Sequence, residues 1–190
     1  MKVFILGAGG HGMDLAEITR ACGHPTTLHD DDRSKHLRPI PSDRPYLLGI
    51  ADPQARAARD RPANTPGVFV HPSVVGQPRF DKLTCGVVVG AGTTIGPNVT
   101  LGRHTHIGAG CTLTRTTIGD YCQIAPGVDI AGDVTIGDRV FVGVGATIKN
   151  LITIGDDAVI GAGAVVIHDV PAGATVAGVP ARVIHGRRVA

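Results

Sequence analysis

The sequence is poor in aromatic side chains and has almost no excess charge. Its 190 residues include no Trp, two Tyr and four Phe, and 18 basic residues against 16 acidic ones give a formal net charge of +2. Nucleic-acid-binding modules depend on basic surfaces, and those for single strands also need aromatic stacking platforms. The composition therefore argues against a nucleic-acid partner, and any core has to be built from Val, Ile, Leu and Ala.

Cysteine and long apolar runs are also scarce. The four cysteines form no CxxC pair, so we expect reduced thiols and a cytoplasmic protein. The apolar run that precedes the first glycines is too short for a signal peptide or a membrane span. We expect no membrane insertion.

Glycine is abundant, with 27 residues, and accompanies a repeat of six residues. This period fits neither a helix nor a single strand, but it is typical of short strands separated by tight turns. All intervals between the repeated aliphatic positions are six residues except that from Leu113 to Ile118, which is five. The fourteen positions are Val89, Ile95, Leu101, Ile107, Leu113, Ile118, Ile124, Ile130, Ile136, Val142, Ile148, Ile154, Ile160 and Val166.

The first 65 residues follow a different pattern. Three short segments, KVFIL, TTLHD and PYLLGI, predict strands, and the GAGGHG turn precedes a predicted helix from Met13 to Cys22. This is a truncated Rossmann-like α/β unit, too short for a complete dinucleotide domain but long enough for a nucleotide-sugar site. We therefore predict two domains, residues 1–65 and 66–190.

Several segments together resemble the sialic acid and bacillosamine type of sugar acyltransferases. They are the GAGGHG turn, an acidic strand end, the HPS phrase, the hexads and the closing AGVPARVI. The resemblance implies an N-terminal Rossmann-like unit followed by a left-handed parallel β-helix of hexapeptide repeats. It also implies acetyl-CoA as acyl donor, a nucleotide-linked sugar as acceptor and a homotrimer, the usual way to bury the flat faces of such a helix.

The resemblance further implies which residues bind each ligand. The acceptor is expected at the glycine turn, at the acidic strand end and at one later glycine, namely Gly9, Gly10, His11, Asp30, Asp31 and Gly49. The coenzyme is expected along the β-helix, at Gln123, Val144, Ala162 and Gly163.

The position of the catalytic base departs from the family pattern. The family's His–acid pair falls on Thr114 and Arg115, in the coil that contains the five-residue interval. A threonine hydroxyl does not act as a base unaided, and arginine stays protonated. The candidate bases are therefore His104 and His106. No metal site is expected, because these two are only two residues apart and the next histidine is His168.

Three functions remain open at this point. The first is an acetyl-CoA-dependent acyltransferase with an atypical base. The second is a catalytically degenerate relative that binds the same ligands. The third is a different reaction on the same scaffold, with Arg115 holding an anionic group of the substrate.

Overall fold

The computed structural model describes residues 3–7, 9–29, 46–60, 67–80 and 85–185. They form a small α/β unit followed by a long parallel β-solenoid. Of the residues predicted to bind the acceptor, Asp30 and Asp31 lie outside the described residues.

The α/β unit contains a three-stranded parallel sheet with strand order β2-β1-β3. Gly7 adopts a φ of +110°, which favours glycine, and lets the chain turn from β1 into α1. In the described part of the chain, neither helix is long and apolar enough to cross a membrane. The elements are β1 (Val3–Leu6), α1 (Gly10–Ala21), β2 (Thr26–His29), β3 (Tyr46–Leu48) and α2 (Pro53–Ala58).

The solenoid consists of strands of two to four residues joined by tight corners. In chain order they are β4 (Phe69–Val70), β5 (Arg79–Phe80), β6 (Val88–Val89), β7 (Thr94–Ile95), β8 (Thr100–Leu101), β9 (His106–Ile107), β10 (Thr112–Leu113), β11 (Thr116–Ile118), β12 (Gln123–Ile124), β13 (Asp129–Ile130), β14 (Val134–Ile136), β15 (Phe141–Val142), β16 (Thr147–Ile148), β17 (Thr153–Ile154), β18 (Val159–Ile160), β19 (Val165–Val166), β20 (Thr175–Ala177) and β21 (Arg182–His185).

These strands form three sheets, with five, five and eight strands, that are the sides of a prism. From β5 to β19, strands three apart in the chain pair in parallel, so Ile107 lies beside Ile124 and Ile124 beside Val142. The last strand, β21, pairs antiparallel with β20. All fourteen aliphatic positions of the six-residue repeat are buried in one continuous core. The prediction of short strands separated by tight turns is confirmed, and the repeated aliphatic side chain of each hexad points inward.

The five-residue interval is absorbed at one corner of the prism. Strands β10 and β11 keep their register with the coils on both sides, so the missing residue shortens only the turn between Leu113 and Thr116. Arg115 occupies this turn with a φ of +44° and stacks between the corner residues of the neighbouring coils. The core is therefore continuous through the irregular coil.

Candidate active site

A cavity of about 370 Å³ lies between helix α1 and the eight-stranded sheet of the solenoid. Its polar lining includes His11 and two acidic residues of α1, Asp14 and Glu17. The solenoid contributes His106 from β9 and Gln123 from β12, which lie side by side in register on adjacent strands. The structure thus brings together three of the residues that the sequence analysis singled out: His11, His106 and Gln123.

Two of these side chains form a direct contact across the cavity. Nε2 of His11 lies 2.9 Å from Nδ1 of His106, within hydrogen-bonding distance, and the ring centroids are 5.1 Å apart. His106 is fully buried, whereas His11 is half-buried at the N-terminal turn of α1. The pair therefore joins the α/β unit to the solenoid within one chain.

Both imidazoles are neutral at neutral pH. Burial, followed by the nearby positive charge of Arg56, lowers the pKa of His11 to about 4. The same two causes, with further contributions from His11 and His104, hold the pKa of His106 well below its usual value. A neutral imidazole has one nitrogen with a free lone pair, which is the form that a general base requires.

The guanidinium of Arg56, a residue of α2, is fully buried and contacts the cavity residue Gln123. It donates to the backbone carbonyls of Ile50, His104 and Cys122 at 2.8 to 3.0 Å, and to the side-chain oxygen of Gln123 at 2.5 Å. Burial lowers the pKa of Arg56 to about 9, so the side chain stays charged at neutral pH. The cavity therefore has a positive charge beneath it.

His104 lies behind this cavity and belongs to a second polar cluster. Its ring is fully buried, stacks on Tyr121, and places Nε2 3.2 Å from a carboxylate oxygen of Asp60. Asp60 also accepts hydrogen bonds from Tyr46, Tyr121 and Arg103. Burial lowers the pKa of His104 to about 4, although the carboxylate opposes that shift. Unlike His106, His104 does not line the cavity formed by the described residues.

One edge of the prism connects the cavity to the predicted coenzyme residues. We call it the first corner, and each of its residues precedes a glycine with φ between +64° and +70°. Successive coils are joined there by backbone hydrogen bonds of 2.8 to 3.0 Å. The first corner consists of Ala91, Ala109, Pro126, Val144 and Ala162. Its first three members line the cavity, and Val144 and Ala162 continue the same exposed edge beyond it.

The family's base position lies on a different edge. Arg115 stacks with Asn98, Asp133 and Leu151 in a second corner, where all four residues have positive φ. Its guanidinium makes a bidentate, exposed ion pair with Asp133 at 3.1 to 3.2 Å. Thr114 precedes it on the same turn. Within one chain these two residues do not meet the cavity that His11 and His106 line.

The predicted glycine positions divide into two groups. Gly9 is the N-cap of α1 and Gly10 is its first residue, so their backbone N–H groups point away from the helix beside His11. Gly49, in contrast, is buried below the turn, where a Cβ would lie 2.8 Å from Cα of Gly12. The close packing of these backbones accounts for Gly49, and its contact with the acceptor remains a prediction.

Arg56 and Asp60 were not identified from the sequence as site residues. In the sequence they belong to an ordinary charged helical stretch. The described residues contain no group of three or more metal-ligating side chains placed to hold an ion.

Comparisons with known proteins add the following findings. A family model described as bacterial transferase hexapeptide (six repeats) matches residues 85–115 and 115–150. A search of curated proteins finds no match.

Several solved structures are similar over nearly the whole chain. One is a histidine-to-alanine mutant of GDP-perosamine N-acetyl transferase from Caulobacter crescentus in complex with CoA and GDP-perosamine, with 30% identity, 98% of each chain covered and a TM-score of 0.86. Another is the acetyltransferase domain of PglB from Neisseria gonorrhoeae in complex with acetyl coenzyme A, with 26% identity, 96% of this chain and 98% of that chain covered, and a TM-score of 0.84. WeeI from Acinetobacter baumannii, with 22% identity, coverage of 97% and 100% and a TM-score of 0.79, shares the fold.

Proposed function

The chain belongs to the hexapeptide-repeat sugar acyltransferases, and we propose that it transfers the acetyl group of acetyl-CoA to the amine of a nucleotide-linked sugar. The similar structures bind CoA and, in one case, a nucleotide-linked amino sugar. We also propose the finer features that the resemblance implies: a left-handed helix, a Rossmann-like unit in residues 1–65, a solenoid domain in residues 66–190 and a homotrimer.

The observation that carries the proposal is the cavity lined by His11, which follows Gly9 and Gly10 at the start of α1, by His106 and by residues of the first corner. The N-terminus of a helix is suited to phosphate because its first N–H groups are unpaired and the helix dipole is positive there. Gly9 and Gly10 supply these groups beside His11. The diphosphate of the acceptor is proposed to bind there, which directs its sugar into the cavity.

The acetyl-CoA is proposed to lie along the first corner. Val144 is 57% exposed and, with Ala162 and Gly163, forms an open edge that accepts an extended pantetheine arm. Because parallel strands are about 4.8 Å apart, the two coils between Pro126 and Ala162 span about 10 Å. Gln123 lies at the cavity end of this path and is proposed to contact the thioester.

The base is proposed to be one of the histidines at the centre of the molecule. His106 lines the cavity, whereas His104 is paired with Asp60 behind it. The geometry therefore favours His106, or a group in contact with it, over His104. The Arg115 side chain, which could hold a substrate anion in a different reaction, is already occupied by Asp133.

The test is thiol release from acetyl-CoA with a panel of UDP-, dTDP- and GDP-linked amino sugars. We expect turnover with at least one acceptor and an acetylated amine in the mass spectrum of the product. The matching sugars that have a hydroxyl in place of the amine should not react. His106→Ala should lose more activity than His104→Ala at equal folded fraction. Binding of both ligands without turnover would overturn the proposal in favour of a catalytically degenerate relative.

A further inference from the structure

The His11–His106 contact couples the tautomers of the two rings. Of the two facing nitrogens, only one carries a hydrogen when both rings are neutral. The other nitrogen of His106, Nε2, is buried and has no hydrogen bond of ordinary geometry among the described residues. Because Nδ1 faces His11, Nε2 is the nitrogen left for the backbone of Gly86, whose interaction with this ring favours its protonated form. This arrangement favours the tautomer in which Nε2 carries the hydrogen and Nδ1 is the acceptor.

This tautomer determines the state of His11. Since Nδ1 of His106 accepts, Nε2 of His11 donates across the 2.9 Å contact. Nδ1 of His11 is then the nitrogen with a free lone pair. His11 is half-buried and lines the cavity at the start of α1, so this lone pair belongs to the more accessible of the two rings.

We propose that His11 is the catalytic base of the acyl transfer and that His106 is the positioning residue that fixes its tautomer. The inference rests on the proposed function, since it requires a thioester and an amine in the cavity. It assigns the base to the α/β unit, whereas the sequence analysis expected a base in the solenoid and gave His11 a binding role only.

The step balances as follows. The neutral amine of the acceptor attacks the thioester carbonyl carbon, which forms a C–N bond and places the negative charge on the carbonyl oxygen. Nδ1 of His11 takes a proton from the new ammonium nitrogen, while His106 accepts a hydrogen bond from the resulting imidazolium. The C–S bond then breaks, and His11 returns the proton to the departing thiolate. The products are the amide and CoA, and both histidines return to their starting states.

The charges around the pair support this role. Burial and the charge of Arg56 keep His11 neutral, with a pKa of about 4. Asp14 and Glu17 on α1, together with His71, are the other titratable groups that line the cavity. An acceptor diphosphate at the N-terminus of α1 adds negative charge next to His11, which raises the pKa of His11 toward the working pH where a base is most effective.

Kinetics of four variants test the assignment. His11→Gln should lower kcat by about 100-fold or more while leaving the KM for acetyl-CoA unchanged, because general-base catalysis contributes roughly 10²–10⁴-fold. His106→Leu should lower kcat by about 10-fold or more, and His106→Asn, which keeps an acceptor near the Nδ1 position, should recover part of that loss. The double variant His11→Gln/His106→Leu should be no worse than His11→Gln alone, because the two residues act as a unit. The matched control is His168→Gln, an exposed histidine of the last coils, which should retain wild-type kcat.

A second measurement reports on the pair without turnover. Nitrogen-15 NMR of the histidine rings should show His106 with hydrogen on Nε2, and its Nδ1 signal should shift in His11→Gln. Circular dichroism and a thermal melt establish that each variant is folded. A fully active His11→Gln, a loss confined to KM, or hydrogen on Nδ1 of His106 would overturn the inference alone. Absence of wild-type turnover with every acceptor would instead overturn the proposed function and this inference with it.

Discussion

The guanidinium of Arg56 donates a 2.5 Å hydrogen bond to the side-chain oxygen of Gln123. This bond fixes which end of the carboxamide faces each neighbour: the oxygen is occupied by Arg56, so the NH₂ group is the one left for a ligand in the cavity. A residue that the resemblance associated with the coenzyme is thereby presented as a hydrogen-bond donor. Thioester carbonyls are acceptors, and negative charge develops on them during acyl transfer.

Gln123→Glu tests this orientation. The carboxylate keeps the bond to Arg56 but replaces the donor that faces the cavity by an acceptor. One lost hydrogen bond of about 0.5–1.5 kcal/mol corresponds to roughly a two- to tenfold weaker interaction. We expect the Kd for acetyl-CoA from titration calorimetry to rise by that factor, with kcat falling at least as much. If acetyl-CoA binding and turnover were unchanged, Gln123 would serve only as a hydrogen-bond acceptor for Arg56.

Because Asp60 is buried among several polar partners, we expect Asp60→Asn to lower the free energy of unfolding much more than Asp133→Asn does. Asp60 is 4% exposed and is contacted by Tyr46, Tyr121, Arg103 and His104. Burial raises its pKa, but the Tyr121 hydrogen bond, the nearby His104 ring and the charge of Arg103 bring the pKa of Asp60 below its usual value. Asp60→Asn should therefore lower the free energy of unfolding by about 1.5–3 kcal/mol, the range for hydrogen bonds to a charged group.

Asp133→Asn is the matched control for that substitution. Its ion pair with Arg115 is bidentate but about half exposed on both sides, and exposed pairs contribute little to stability. Urea unfolding of both variants beside the wild-type chain provides the comparison. Equal losses for the two variants would contradict the view that Asp60 fastens the α/β unit to the solenoid.

The six-residue repeat predicted the solenoid because its signal is local and repeated. Each aliphatic position is buried for the same reason, so fourteen equivalent observations support one architecture. The first corner was predictable in part, since glycine follows both Val144 and Ala162 in the sequence and glycine is the residue that favours positive φ. Periodicity therefore located the core and the exposed edge on which the coenzyme is proposed to lie.

The buried polar contacts could not be predicted in the same way. Arg56 follows helical spacing in a charged segment, and only the docking of α2 on the solenoid makes it a buried cation. The His11–His106 contact joins residues 95 positions apart, and no local pattern encodes that distance. Both tyrosines of the chain, Tyr46 and Tyr121, donate to Asp60, but their positions in the sequence do not indicate this shared partner.

The lowered pKa values of three histidines predict that the free energy of unfolding decreases on mild acidification. The pKa of His11 and of His104 is lowered from 6.5 to about 4, and that of His106 is lowered as well. Between these values the unfolded chain binds protons that the folded chain does not, so the free energy of unfolding falls as the pH drops from 6.5 toward 4. Each histidine contributes at most about 1.4 kcal/mol per pH unit to this slope.

Urea unfolding at several pH values in this window checks the sign and the size of the effect. His11→Gln removes one titrating group and should give a shallower slope. Asp60, whose pKa is lowered in the folded chain, adds a loss of stability of the same sign at the acid end of this window and below it. A free energy of unfolding that rises toward pH 4 would contradict the assignment of three buried neutral histidines.

The exposed side chain of Leu151 indicates where copies of the chain contact one another in the proposed homotrimer. It is 71% exposed and has a φ of +62°, a conformation that is strained for a bulky side chain. The equivalent positions of the second corner hold polar residues, Asn98, Arg115 and Asp133. An exposed aliphatic residue in a strained position is explained if a second subunit of the proposed homotrimer covers it.

Leu151→Asn separates the effect of Leu151 on the stability of the single chain from its effect on the association of subunits. Asparagine tolerates positive φ better than leucine does, so the single chain should remain folded and its thermal stability at high dilution should not decrease. The apolar contact between subunits is lost, however, so the trimer should dissociate at a higher protein concentration than the wild type. Sedimentation velocity over a dilution series measures this shift, with Asp133→Asn on the same corner as control. A wild-type chain that sediments as a monomer of 19.5 kDa at all concentrations would exclude the trimer, and Leu151 would then be an exposed residue of a single prism.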